Sequence, residues 1–176
     1  MNPTLKTIII VSAAIVVAAL AWVFYDYGRI YIWGNDYDLM LSKLLKGSVK
    51  TVNPSEIADS TASYTFLDTR TIEEYRVSHI EGAKFIDFKA FSEEDIKDLD
   101  KTKPVIVYCA IGYRSEMIGE KLQKLGFQNV KNLYGGIFQW KNEGLPLSNR
   151  YGEPTDYIHG YSWLWKRWIK RGEVIY

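Results

Sequence analysis

"VIVYCAIGYRSEMIGEKLQKLGF" (residues 105–127) runs from an apolar β segment through a tight turn into an amphipathic helix, and it holds the single cysteine of the chain, Cys109. The β-branched opening, Val105 to Tyr108, reads as a strand buried on both faces. Met117, Ile118, Leu122 and Leu125 share one side of the helix, and Gly126 stops it. Cys109 therefore stands at the carboxyl end of a central strand, where open α/β sheets build their sites.

The same alternation continues on either side. "VKTVNPSEIADS" (49–60) reads as a short strand followed by a helix start at Asn53-Pro54. "YTFLD" (64–68) is a buried strand, and "TIEEYRV" (71–77) opens a helix with Thr71 and Glu74 in capping-box spacing. "AKFID" (83–87) is a strand, "SEEDIKDL" (92–99) a polar helix with an acidic start, and "VKNLY" (130–134) the last strand before a glycine turn and helix over 135–144. This order predicts an α/β fold with a central parallel sheet covered by helices.

The amino-terminal region differs in kind. No charged residue lies between Lys6 and Asp26, and the nineteen residues 7–25 span roughly 28 Å as a helix, close to a hydrocarbon core. Trp22, Tyr25, Tyr27 and Tyr31 follow as an interfacial aromatic belt would. A cleaved signal is the alternative, with Ala19-Leu20-Ala21 as its small-x-small site. The run continues through Phe24, which favours an uncleaved, single-pass anchor inserted in the lipid bilayer. Lys6 on one side and Arg29, Lys43 and Lys46 on the other weakly favour an extracytoplasmic body. The expected organisation is a transmembrane helix over 7–25, a linker over 26–44, a catalytic domain over 45–148 and a tail over 149–176.

A net charge of +1 gives no general reason to expect a nucleic-acid partner. One cysteine excludes an internal disulfide, and with two histidines it is too sparse a set for a metal site. The chemistry then rests on the loop itself. A short turn into a helix points its N–H groups inward as an anion nest. The expected nest runs over Ala110, Ile111, Gly112, Tyr113, Arg114 and Ser115, with Gly112 relieving the backbone and Arg114 able to fork onto an oxyanion. Such a field favours the thiolate of Cys109 and lowers its pKa.

Four stretches resemble the rhodanese family: "FLDTRTIEEYRVSHIEGAKFID" (66–87), "VIVYCAIGYRS" (105–115), "LYGGIFQW" (133–140) and "EGLPL" (143–147). Ser78 and Glu81 stand where glycine and proline are common in that family. The resemblance implies the three-layer rhodanese-like fold and a sulfurtransferase that needs no cofactor. Cys109 would take sulfane sulfur from a small donor such as thiosulfate, hold it as a persulfide and pass it to a thiol or cyanide. A non-enzymatic binding or sulfur-sensing module is the alternative. Related phosphatases and arsenate reductases place five residues between cysteine and arginine; here there are four, a ring better suited to sulfur than to phosphate.

Asp68 and Arg70 are candidates for the pocket rim, although Asp68 accepting loop N–H groups and Arg70 pairing with Glu73 or Glu74 is the favoured arrangement. His79 is expected to fasten a turn, Trp140 to lie in the core, and Tyr113 to face the mouth of the site. In the tail, Trp163, Trp165 and Trp168 alternate with Lys166, Arg167, Lys170 and Arg171. Two readings stand: an interfacial helix on anionic lipid, or a lid docked on the catalytic domain.

Overall fold

The computed structural model describes residues 2–28 and 36–176. The chain forms two compact units, Met1–Ser42 and Lys43–Tyr176. In the first, helix α1 (Pro3–Tyr27) opens on Asn2, whose side chain accepts the Thr4 N–H, with Pro3 at the first helical position. Its apolar side chains are exposed along its length. Among the described residues it is the one helix long and apolar enough to cross a membrane. Arg29 and Tyr31, which bear on orientation and the aromatic belt, lie outside the described residues. A second helix, α2 (Tyr37–Leu44), occupies part of the expected linker.

The second unit is built on five parallel strands: β1 (Thr51–Val52), β2 (Thr65–Asp68), β3 (Lys84–Phe85), β4 (Val105–Tyr108) and β5 (Val130–Leu133), in the order β1-β5-β4-β2-β3. The most apolar strand, β4, takes the centre. It aligns Asp68 with Tyr108 on one side and Val107 with Asn132 on the other. Its pleat divides the core. Val105 and Val107 join Leu67, Ile118 and Leu122 in one cluster, so the helix α5 (Tyr113–Lys124) covers that face. Ile106 turns to the opposite face beside its partner Phe66, which meets Trp140 of α6 (Gly136–Asn142) edge-on at 5.9 Å. Trp140 is core, and its indole N–H donates to the Pro146 carbonyl at 2.9 Å.

Two helices differ from expectation. The segment over 92–99 forms only a 3₁₀ turn, Glu93–Ile96, capped by Ser92 and plugged into the core by Ile96. Ile96, with Leu99 only half-buried against the core, does not offset the cost of nucleating a longer helix in this short acidic run. Conversely, α5 starts at Tyr113, two residues early, because Gly112 adopts φ +106° as its N-cap and winds the loop directly into the helix. After β1 a single turn, α3 (Pro54–Ile57), follows the expected start at Asn53-Pro54, and between β2 and β3, α4 (Ile72–Val77) begins on the expected capping box: Thr71 accepts from the Glu74 N–H, and Glu74 accepts from the Thr71 N–H at 3.0 Å.

The residues beyond 148 do not form a helix. A short antiparallel pair, β6 (Leu147–Ser148) and β7 (Pro154–Thr155), leads to β8 (Tyr157–His159), which pairs in parallel with β9 (Glu173–Ile175) and lies against α4. Ile158 and Trp168 are buried. Asn142 of α6 grips the Trp168 carbonyl at 2.8 Å and the Lys170 N–H at 2.6 Å, and Lys141 pairs with Asp156 at 2.6 Å. The tail is thus part of the same unit as the sheet, with Trp168 docked in it and Trp163 exposed.

Asp68 and Arg70 are fully buried and paired with each other at 2.6 Å, with Arg70 also donating to the Ser78 carbonyl. Asp68→Asn is expected to lower stability by roughly 3 kcal/mol or more, because it strands a buried guanidinium; urea unfolding of the full chain measures it.

Candidate active site

The site grows from the end of β4. Two glycines fasten its first turn: Gly135 (φ +66°) and Gly136 (φ +58°) bring the start of α6 onto the cysteine backbone. There the Ile137 N–H donates to the Cys109 carbonyl at 2.9 Å, and the Phe138 N–H donates to the Ala110 carbonyl at 3.1 Å. A Cβ on Gly136 would stand 2.4 Å from the Cys109 carbonyl oxygen. The far end of the loop is fixed through Asn132 of β5, which donates to the Gly112 carbonyl at 2.9 Å and lies 2.7 Å from the Ser115 hydroxyl.

Held this way, the Gly112 N–H donates to Cys109 Sγ at 3.2 Å. Cys109 is only 1% exposed, yet it borders a cavity of about 210 Å³ with Ala110, Ile111, Tyr113 and Arg114. The remaining wall comes from Leu44, Tyr161 and Trp165. Tyr113 is exposed at the mouth. Gly112 and Ser115 do not line the cavity; Gly112 contributes its N–H from beneath, and buried Ser115 braces the loop through Asn132. Asp68 and Arg70 sit beneath the site and away from the cavity lining, so their expected place at the rim is corrected: they complete each other's charge inside the fold. The expected Arg70 pairing with Glu73 or Glu74 gives way to Asp68 because Asp68 lies two residues away on the same turn.

Glu74 instead clasps Arg114 in a two-bond fork, both at 2.8 Å. Burial alone would raise the Glu74 carboxyl, but the Arg114 hydrogen bond and charge, with Arg70 behind, hold it below the usual carboxylate range. The Arg114 guanidinium also lies 5.0 Å from the Tyr161 ring. Tyr161 has φ +60°, the left-handed region that a β-carbon resists, and its N–H donates to His159 Nδ1 at 3.0 Å. Desolvation lowers the His159 pKa from 6.5, with Glu74 and Glu73 opposing and Arg70 and Arg114 assisting. His79 stacks on Tyr75 at 4.0 Å and pairs its backbone with Ser148, which fastens a turn away from the sulfur. Among the described residues no group of three or more His, Cys, Asp or Glu converges as a metal site.

Sequence reasoning found the loop but missed Glu74 as the partner of Arg114. Its capping position marked a helix start and carried no cue to a partner 40 residues away. Sequence reasoning named Trp165 only within a tail that would lie on lipid or dock as a lid, and left Tyr161 unassigned, since no local spacing ties residues fifty positions apart to one cavity.

This geometry agrees with the comparisons. Residues 53–143 match the model of the rhodanese-like domain, and the chain belongs to that family. It is 34% identical over 93 residues to the thiosulfate sulfurtransferase GlpE of Actinobacillus succinogenes, covering 82% of that protein. It is 35% identical over 91 residues to the tRNA uridine(34) hydroxylase of Yersinia pestis but spans only 26% of that longer chain. A rhodanese-related protein from Thermoplasma volcanium shares the fold with a TM-score of 0.51 and 32% identity, over 56% of this chain and 96% of that one.

Two outcomes follow. Gly136→Ala is expected to push the loop off its anchor, costing more than about 1 kcal/mol and weakening Cys109 reactivity, read by alkylation rate. His159 accepts at Nδ1 and so is neutral there. Its folded pKa is depressed, so its contribution to tail docking is full above 6.5 and falls as pH drops below that value. Loss of Tyr161 amide protection in hydrogen exchange below that pH checks it.

Proposed function

We propose that the protein is a membrane-anchored sulfurtransferase in which Cys109 carries sulfane sulfur as a persulfide. The observation that supports it most is the sulfur at the floor of a cavity with the Gly112 N–H donating to it at 3.2 Å. The thiolate of Cys109 attacks the outer sulfur of the donor. With thiosulfate, the sulfur–sulfur bond breaks, its electron pair leaves on sulfite, and the persulfide anion remains on Cys109. A thiol acceptor, as thiolate, or cyanide then attacks the outer sulfur and returns the Cys109 thiolate. Atoms and charge balance in both exchanges without an outside oxidant. The Gly112 N–H and the start of α5 favour the anion at each stage.

The short spacing, four residues between Cys109 and Arg114, supports sulfur over phosphate, as does the resemblance to a protein named thiosulfate sulfurtransferase. The second reading, a binding or sulfur-sensing module, draws on the near-complete cover over Cys109. The exposed apolar length of α1 supports the anchor.

The full chain in lipid nanodiscs is expected to turn over a sulfane-sulfur donor with cyanide, thiosulfate or an aryl thiosulfonate, and Cys109→Ser to reduce that rate to background. Mass spectrometry should show an adduct of about 32 Da, one sulfur atom, on the wild type alone. No turnover and no adduct with either donor favours the sensing module. Retention in the membrane pellet after an alkaline wash is the expected result for α1, and release favours a cleaved signal.

A further inference from the structure

We infer that the cavity over Cys109 takes sulfur carried on an apolar organic body, an aryl or alkyl thiosulfonate or perthiol, in preference to an inorganic dianion. The inference rests on the sulfurtransferase reading and concerns the donor class of that same site.

Three observations carry it. The first is who builds the wall. Tyr161 and Trp165 close the cavity from a segment beyond residues 53–143, the part matched by the family model. They face Ala110 and Ile111 across it, and Leu44 adds a further apolar side chain. The second is charge. Arg114 carries the one formal charge among the described lining residues, and Glu74 already forks onto it. A neutralised guanidinium offers little to repay the desolvation of a dianion entering such a cavity. The third is size. An apolar cavity of about 150 Å³ takes up benzene, so about 210 Å³ accommodates a phenyl ring with its sulfur-bearing substituent.

The transfer balances. The Cys109 thiolate attacks the outer sulfur of an aryl thiosulfonate anion, the sulfonyl–sulfur bond breaks, and its electron pair leaves on the sulfinate. The persulfide anion stays on Cys109. With a perthiol, the outer sulfur and its proton transfer to Cys109 and the organic thiolate leaves.

The test compares two donors of the same sulfane sulfur, benzenethiosulfonate and thiosulfate, with cyanide as acceptor and the full chain in nanodiscs. The expected kcat/KM ratio favours benzenethiosulfonate by at least about tenfold, the factor that burying part of one ring provides. Trp165→Ala and, as a smaller change, Tyr161→Leu are expected to shrink the ratio by removing the wall. Glu74→Gln is expected to shrink it from the other side, by releasing the Arg114 charge to a dianion. A wild-type ratio at or below one overturns the inference and leaves the sulfurtransferase reading standing. Should neither donor turn over, calorimetry on Cys109→Ser separates the two ideas. Binding of benzenesulfonate but not sulfate preserves the ligand class and ends the transfer reading; binding of neither ends both.

Discussion

Two backbone hydrogen bonds hold the cysteine loop: Ile137 N–H to the Cys109 carbonyl and Phe138 N–H to that of Ala110. Everything chemical about the site depends on this grip. It requires α6 to approach the end of β4 so closely that residue 136 has no room for a Cβ. With the cysteine carbonyl turned back toward α6, the loop presents the amide of Gly112, three residues on, to the sulfur. A buried carbonyl without such a partner would cost free energy; here the partner is also the device that sets the loop's shape.

A second layer of polar contacts converts that shape into an electrostatic setting. Glu74 is buried, and it both caps α4 through Thr71 and clasps Arg114. One carboxylate thereby ties the helix after β2 to the helix after β4. Asp68 and Arg70 do comparable work one level down, where the Tyr108 ring lies beneath the guanidinium and the Tyr108 hydroxyl accepts the Ile80 N–H at 3.1 Å. The two pairs divide the charges so that one arginine braces the fold and the other borders the cavity.

The strands were legible in the sequence because burial writes itself into β-branched runs such as Val105 to Val107, and the capping box at Thr71 and Glu74 declared its own helix start. Cys109 stood out as a candidate because it follows the most apolar strand and opens a glycine-containing turn. What could not be read was partnership across the chain. Nothing local connects Glu74 to Arg114, or Tyr161 to the cysteine loop. The acidic run at 92–99 misled for the opposite reason: its local signal is helical, but Ile96 alone is fully buried and Leu99 only half-buried against the core. The aromatic tail offered two readings because tryptophans among basic residues suit a lipid surface and a docked segment alike; burial of Trp168 and the Asn142 clasp belong to the second.

The parallel pairing of β8 with β9 fastens residues 160–172 at both ends. The stretch bearing Tyr161 and Trp165 is also pinned within its length by buried Trp168 and the Asn142 clasp, so its anchors lie outside the five-stranded sheet. Substitutions along it can redraw the wall that Tyr161 and Trp165 give the cavity while leaving β4, Cys109 and the glycine clamp as they are. The cysteine loop and the wall beside it belong to separate stretches of polypeptide, so drift in one need not erode the other.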